Sequence, residues 1–223
     1  MGEAIGGVLA PAVGVALSPI PIVAVVLMLA TPKGRSNGPA FGLGWIVGLV
    51  VVSVVVLTLT SGADTSSSAS DGTNGTLVIF GVVLAVVGVR QWRKRPKPGE
   101  EPAMPGWMDS VDHFTAPKAL GLGVALSAMN PKNLALTVAA AASISQSGAD
   151  GAEAFVAELA FVVIASSTVV GLVLAHLVAG ERVAGWLDRL KTTMATHNAV
   201  IMAVICWVLA AKLIGDGTGR LSG

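Results

Sequence analysis

A lysine set inside apolar sequence needs an anion or water to keep it company. The stretch GVALSAMNPKN (residues 123–133) closes on Asn130, Pro131, Lys132 and Asn133 within a long hydrophobic run. At membrane depth an ammonium is costly unless it has a partner or faces a wet cavity. The same opening, GVALS, stands at residues 14–18 and also runs into proline, at Pro19 and Pro21. Proline inside a helix removes a backbone donor and clashes with the preceding turn. Serine and asparagine are favoured N-caps, and proline is favoured at the first helical position. Ser18-Pro19 and Asn130-Pro131 therefore each predict a helix that stops and restarts. A helix start carries unpaired N–H groups and the positive dipole end, which suits anions. The expected substrate-binding set is Ser18, Pro19, Pro21, Ser127, Asn130, Pro131, Lys132 and Asn133. It should form a pocket between the first and fourth membrane spans that prefers a negatively charged or strongly polar head.

Other polar groups offer less. Glu158 is the only carboxylate inside an expected span. It is placed either to pair with Lys132, and to free it for substrate when protonated, or to snorkel to the outer interface. Ser166, Ser167 and Thr168 form a mid-span cluster that either lines the pocket or bonds back to its own helix and neighbours. Gly44 and Gly48 have the GxxxG spacing that lets helices approach closely, within one chain or between two copies. His113, His176 and His197 are scattered, and no histidine pair has metal-ligand spacing. Cys206, the single cysteine, sits beside Trp207 in an apolar run and reads as packing. Neither a metal, a cofactor nor a catalytic group is expected. There is no GxxxxGK[ST] phosphate loop for ATP hydrolysis.

These residues need a lipid-embedded helical frame. Hydrophobic residues make up 53% of the 223 and charged residues 12%, against about 25% charged in soluble proteins. Too little polar material is present to cover a water-facing surface. The net charge of +1 gives no sign of nucleic-acid binding. A span needs roughly 20 apolar residues, and six stretches qualify or nearly so: Ile5–Ala30, Phe41–Leu59, Leu77–Val89, Ala119–Ile144, Phe155–Val178 and Ala199–Ile214. The third is short and borrows Thr73–Thr76 at one end and Arg90–Trp92, as an interfacial anchor, at the other. The N-terminus carries Glu3 and no basic region, so it reads as a retained span rather than a cleaved signal.

Lysine and arginine fall in loops one, three and five: Lys33 and Arg35, then Arg90 to Lys97 with Lys118, then Arg182, Arg189 and Lys191. The positive-inside rule puts these loops in the cytoplasm and both termini outside. Loop two, rich in serine and glycine, reads as flexible. Loop three carries Trp107, Met108, Val111 and Phe114 at a spacing that fits a short interfacial helix. Residues 1–92 form one three-helix unit, 93–117 a cytoplasmic linker and 118–223 a second unit. The two units enter from opposite faces, and the repeated GVALS stretch opens the first helix of each. At 1.5 Å per residue the two breaks lie about 20 Å and about 17 Å along their spans, near the middle of a ~30 Å core. The expected fold is all-α: a polytopic membrane protein of six transmembrane helices in two inverted three-helix repeats, with helices 1 and 4 broken by proline.

NPKNLAL (130–136), the ALSPIPI of span one and PGWMDSVDHFTAPKALGLGVALSAMNPKNLAL (105–136) together resemble the peptidoglycolipid-addressing (GAP) family, also called the sulfolipid-addressing (Sap) family, within the lysine-exporter (LysE) superfamily. The resemblance implies a protein of the cytoplasmic (inner) membrane that exports cell-envelope glycolipids or related amphiphiles. Across the superfamily it implies export of small molecules driven by an ion gradient. The family pattern carries over onto Asn130, Pro131 and Lys132, and onto Pro19 and Pro21. Amino-acid exporters of the superfamily often have glycine between the span-one prolines. Here it is Ile20, which suits a lipid chain better than a small amino acid.

The expected function is therefore translocation of a polar-headed or anionic lipid, by a transporter rather than an enzyme. The alternatives are proton-coupled export of a soluble metabolite, a membrane-embedded acyltransferase, and a scaffold for envelope-lipid export. Expected partners are the lipid or amphiphile, the bilayer, a second copy, and an envelope-lipid synthase or pump.

Overall fold

A computed structural model describes residues 2–61, 67–95, 111 and 113–219. Eight α-helices account for them: α1 (Gly2–Ala16), α2 (Pro19–Leu29), α3 (Gly34–Ser61), α4 (Ser67–Arg93), α5 (Ala116–Ala128), α6 (Pro131–Gln146), α7 (Gly151–Ala179) and α8 (Ala184–Gly219), with a 3₁₀ turn at Gly180–Val183. Valine-rich runs such as Val50–Val56 are helical in spite of their weak helix propensity. In lipid a backbone must satisfy its own N–H and C=O groups, and within one segment only a helix does so.

The fold is held by stripes at helical spacing. Ala4, Val8, Ala12 and Val15 bury one face of α1 against α6 and α7. Phe41, Trp45 and Leu49 do the same for α3. The opposite faces are apolar and bare: Leu43, Val47, Val54, Val82, Phe155, Val163 and Val208 are all exposed. Aliphatic patches of that extent are rare on soluble monomers, so lipid is the solvent.

α1 and α2 pass together for a membrane span but are bent by 51° at the intervening residues. α5 likewise ends at Ala128, and α6 starts at Pro131. By length and hydropathy three helices cross a membrane unaided, over Gly34–Thr58, Gly151–Ala179 and Ala184–Lys212, or four counting the bent pair. Of the six expected spans, those at α4 and at the α5–α6 pair do not meet that length and hydropathy among the described residues.

Several boundaries differ from the sequence reading. The helix at the expected third span is 27 residues long, Ser67–Arg93, so serines 67, 68 and 70 and Asp71, expected in a flexible loop, lie on α4. The second begins at Gly34 and runs through Pro39. The sixth begins at Ala184 rather than Ala199, which puts Arg189 and Lys191 on α8. Hydropathy marks only the apolar part of a helix and misses polar turns that extend it. Trp92 is not a free anchor. It packs against Trp207 with ring centroids 5.6 Å apart and the planes tilted by 43°, and the Arg95 guanidinium lies over its ring. In the linker, Trp107 and Met108 lie outside the described residues. Val111 is buried in the core, and the Phe114 carbonyl accepts from Asn37 Nδ2 on α3 at 3.0 Å, so the linker's end is held by the helices.

Candidate functional site

The two helix restarts meet. Ser18 is the N-cap of α2 and Asn130 that of α6, both with extended backbone and with proline next. Asn130 caps in the ordinary way, its side-chain oxygen accepting the Lys132 N–H at 3.1 Å. Ser18 does not cap its own helix. Its hydroxyl donates to Asn133 Oδ1 at 2.6 Å and accepts from Lys132 Nζ at 2.7 Å. One serine from the first break is thus bonded to two side chains from the second, 114 and 115 residues away. Prolines at positions 19 and 21 leave Ile20 as the only residue among the first three of α2 with an N–H. At α6, Pro131 has none and Lys132's is capped, which leaves that of Asn133. The backbone offers few donors here, and the positive character comes mainly from the Lys132 ammonium.

The carbonyls freed by each break are taken up by side chains from elsewhere. Thr168 on α7 donates to the Ala16 carbonyl at 2.6 Å, closing the end of α1. Asn133 Nδ2 donates to Leu126 O at 3.0 Å, closing the end of α5. A buried backbone group without a partner costs as much as a lost hydrogen bond, so these bonds let helices stop inside an apolar medium. Thr137, one turn after Asn133, bonds back to the Asn133 carbonyl at 2.9 Å.

Lys132 is 3% exposed, Ser18 2% and Asn133 0%. Among the described residues Lys132 forms no ion pair, and Ser18 is the one side-chain acceptor it reaches. Two of its three N–H donors are left without a protein acceptor, in a place closed to water. Cys206, buried on α8, lies within electrostatic range. The arrangement is that of a cation site shut around its own residues.

The remaining residues divide. Pro19 and Pro21 are buried at the α2 restart, whereas Pro131 is exposed at the α6 restart. Ser127 is buried but bonds back to Gly123 O and Val124 O, both at 3.0 Å, and packs on Gly48. It belongs to the contact between α3 and α5. Gly44 and Gly123 seat the Leu120 and Phe41 carbonyls in that same contact, so the GxxxG pair is used inside the chain. Of the three hydroxyls on α7, Thr168 reaches the break, Ser166 is buried with no hydrogen-bond partner, and Ser167 is exposed and bonded to Ile164 O. Glu158 does not reach Lys132. Both its carboxylate oxygens are buried without a hydrogen bond, near Ser53 of α3, itself fully buried. No group of three or more metal-ligating side chains occurs among the described residues.

Sequence reasoning missed Thr168 as the partner of Ala16, because 152 residues separate them. It also missed a cavity at the end of the bundle where α2, α3, α7 and α8 meet, lined by Arg35, His176, Asp188 and Lys191 among others. The signal is present, since residues 184, 187, 188 and 191 share one helix face, but hydropathy assigns those positions to loop five. Neither the curated proteins nor the solved structures give a match to this chain. A family model, Sap, sulfolipid-1-addressing protein, matches residues 8–219. With that match covering nearly all of a chain whose NPKN stretch lies at the meeting of two interrupted helices, the protein belongs to the sulfolipid-1-addressing protein family.

Proposed function

We propose that this protein moves a polar-headed or anionic lipid across the cytoplasmic membrane, binding the head at the two helix restarts while the tails stay in the bilayer. The observation that carries this reading is Lys132, 3% exposed, hydrogen-bonded to Ser18 and without an acidic partner among the described residues. A cation held that way is stabilised by an arriving anion, and the Asn130 amide nitrogen, whose oxygen alone is engaged among the described residues, is placed to donate to the head as the Ser18–Lys132 bond opens. The family supports a role in lipid-related envelope transport.

An inverted pair of three-helix units supplies the alternating access. In support, helix pairings recur reciprocally: α3 packs on α5 as α7 does on α1, and α2 on α3 as α6 does on α7. α3 packs on α6 as α7 does on α2, and α4 packs on its own counterpart, α8. The mirroring is incomplete: α2 and α1 pack on α8 without comparable contacts of α6 and α5 with α4, and α5 packs on α6 without a comparable contact of α1 with α2, among the described residues. Glu158, buried near Ser53 between α7 and α3, is the group that couples this movement to protons.

The test is translocation of a fluorescent anionic lipid by purified protein in liposomes. Lys132→Met removes the charge at similar length, and translocation should fall at least tenfold while the helical content stays. Wild-type transport by that variant would overturn the reading, and a wild-type protein that exports a water-soluble amino acid but no lipid would replace it with metabolite export.

A further inference from the structure

The cavity at the end of the bundle has a volume of about 580 Å³ and lies away from the Ser18–Lys132 cluster. Its walls are the C-terminal end of α2, the first turn of α3, the end of α7 and one face of α8, along which Ala184, Leu187, Asp188 and Lys191 recur at helical spacing. Two helix N-termini, of α3 and α8, and two C-termini, of α2 and α7, meet here, so their dipoles offset one another. Side chains therefore decide the sign. Arg35 and Lys191 face the cavity with Asp188, and His176 adds a ring nitrogen. Lys191 and Asp188 are paired at 2.7 Å, but Asp188 is 68% exposed and Lys191 only 28%. Water screens the carboxylate more than the ammonium, and such pairs exchange easily. Arg35 has no hydrogen bond or ion pair among the described residues, so its planar fork is free for bidentate contact with an oxyanion.

We infer that this cavity is a second binding site, for an oxyanion head of phosphate or sulfate type, held by Arg35 and Lys191. It occupies the face of the bundle that carries loops one and five, and α2 joins it to the Ser18 restart. An anionic head docked here is separated from Lys132 by the length of α2, whose residues Ile22 to Val26 are buried. The binding itself stands independently; that the cavity receives the lipid head before it reaches Lys132 rests on the transport reading above. The volume exceeds a single oxyanion, and the wall contributed by Val26, Leu29 and Leu187 suits the first carbons of a lipid.

The test uses the full chain in zwitterionic nanodiscs, titrated with phosphatidylglycerol and, separately, with inorganic phosphate, and read by native mass spectrometry. Wild-type protein should retain two phosphatidylglycerol molecules. Arg35→Gln with Lys191→Gln should retain one, its affinity at the lost site down at least tenfold, and Lys132→Met should lose the other. Both altered cations lie outside the packed interior, and an unchanged unfolding temperature confirms that the double variant folds. If inorganic phosphate binds the wild type as tightly as the lipid does, and the double variant abolishes it, the oxyanion site stands with a soluble anion as its source. Wild-type affinity of the double variant for both probes overturns the proposal. Loss of a site in the double variant, with lipid translocation intact in Lys132→Met, would keep this cavity and remove the central reading.

Discussion

Asn133 shows how much one side chain does at the break. Its oxygen accepts from Ser18, its amide donates to the Leu126 carbonyl, and its own carbonyl accepts from Thr137. Thr168 has a narrower task, closing the end of α1 through Ala16. Thr168→Val keeps the shape and removes that bond, and hydrogen bonds between membrane helices are worth roughly 1 kcal/mol. A thermal midpoint lower by about 2–4 °C is expected for a chain of this size, with anionic-lipid binding at Lys132 retained. Tryptophan-fluorescence melts alongside a lipid titration check both, and an unchanged midpoint would show that the Ala16 carbonyl finds another donor. The residue types at the site were legible in the sequence: a lysine, two asparagines and a serine stand out against aliphatic runs. Their partners were not, because a hydrogen bond across 115 positions leaves no local trace.

Between elements, glycine decides where α3 and α5 can touch. A Cβ at Gly123 would press on the Phe41 carbonyl and the backbone of Trp45 and Gly44, while one at Gly121 meets nothing within 4 Å. Gly123→Ala should therefore cost about 1–3 kcal/mol through overpacking. Gly121→Ala should be neutral or stabilising by up to about 1 kcal/mol, since alanine is the better helix former. Parallel denaturation of the two variants checks this, and equal effects would contradict the close approach. The GxxxG spacing of Gly44 and Gly48 announced close packing. Only the tertiary structure showed that its mate is α5 of the same chain and not a second copy. Element ends were the least legible: α4 and α8 begin with polar turns that hydropathy leaves out.

Among the described residues, the basic segments of loops one and five meet at one end of the bundle, around the Arg35 cavity, and the charge rule assigns that end to the cytoplasm. Asp150→Cys and Ser36→Cys, each in a Cys206→Ala background, test that assignment, since both positions are exposed, Asp150 before the first turn of α7 and Ser36 in the first turn of α3, which meets the other end of α7. An impermeant maleimide added to intact cells should label position 150 and leave position 36 untouched. The reverse pattern would turn the transport direction around and place the Arg35 cavity outside.

The amino-acid sequence by itself determined that the chain is helical and lipid-embedded, and that two of its segments carry cap-then-proline stops in apolar surroundings. Those properties are local: hydropathy, turn chemistry and residue type act within a few positions of one another. That the two stops touch, that Thr168 rather than water closes one of them, that Glu158 stays apart from Lys132, and that Arg35 and Lys191 share a cavity were decided only when the helices packed. Each depends on the rotation and depth of one helix against another, which is set by the sum of many small side-chain contacts across the bundle.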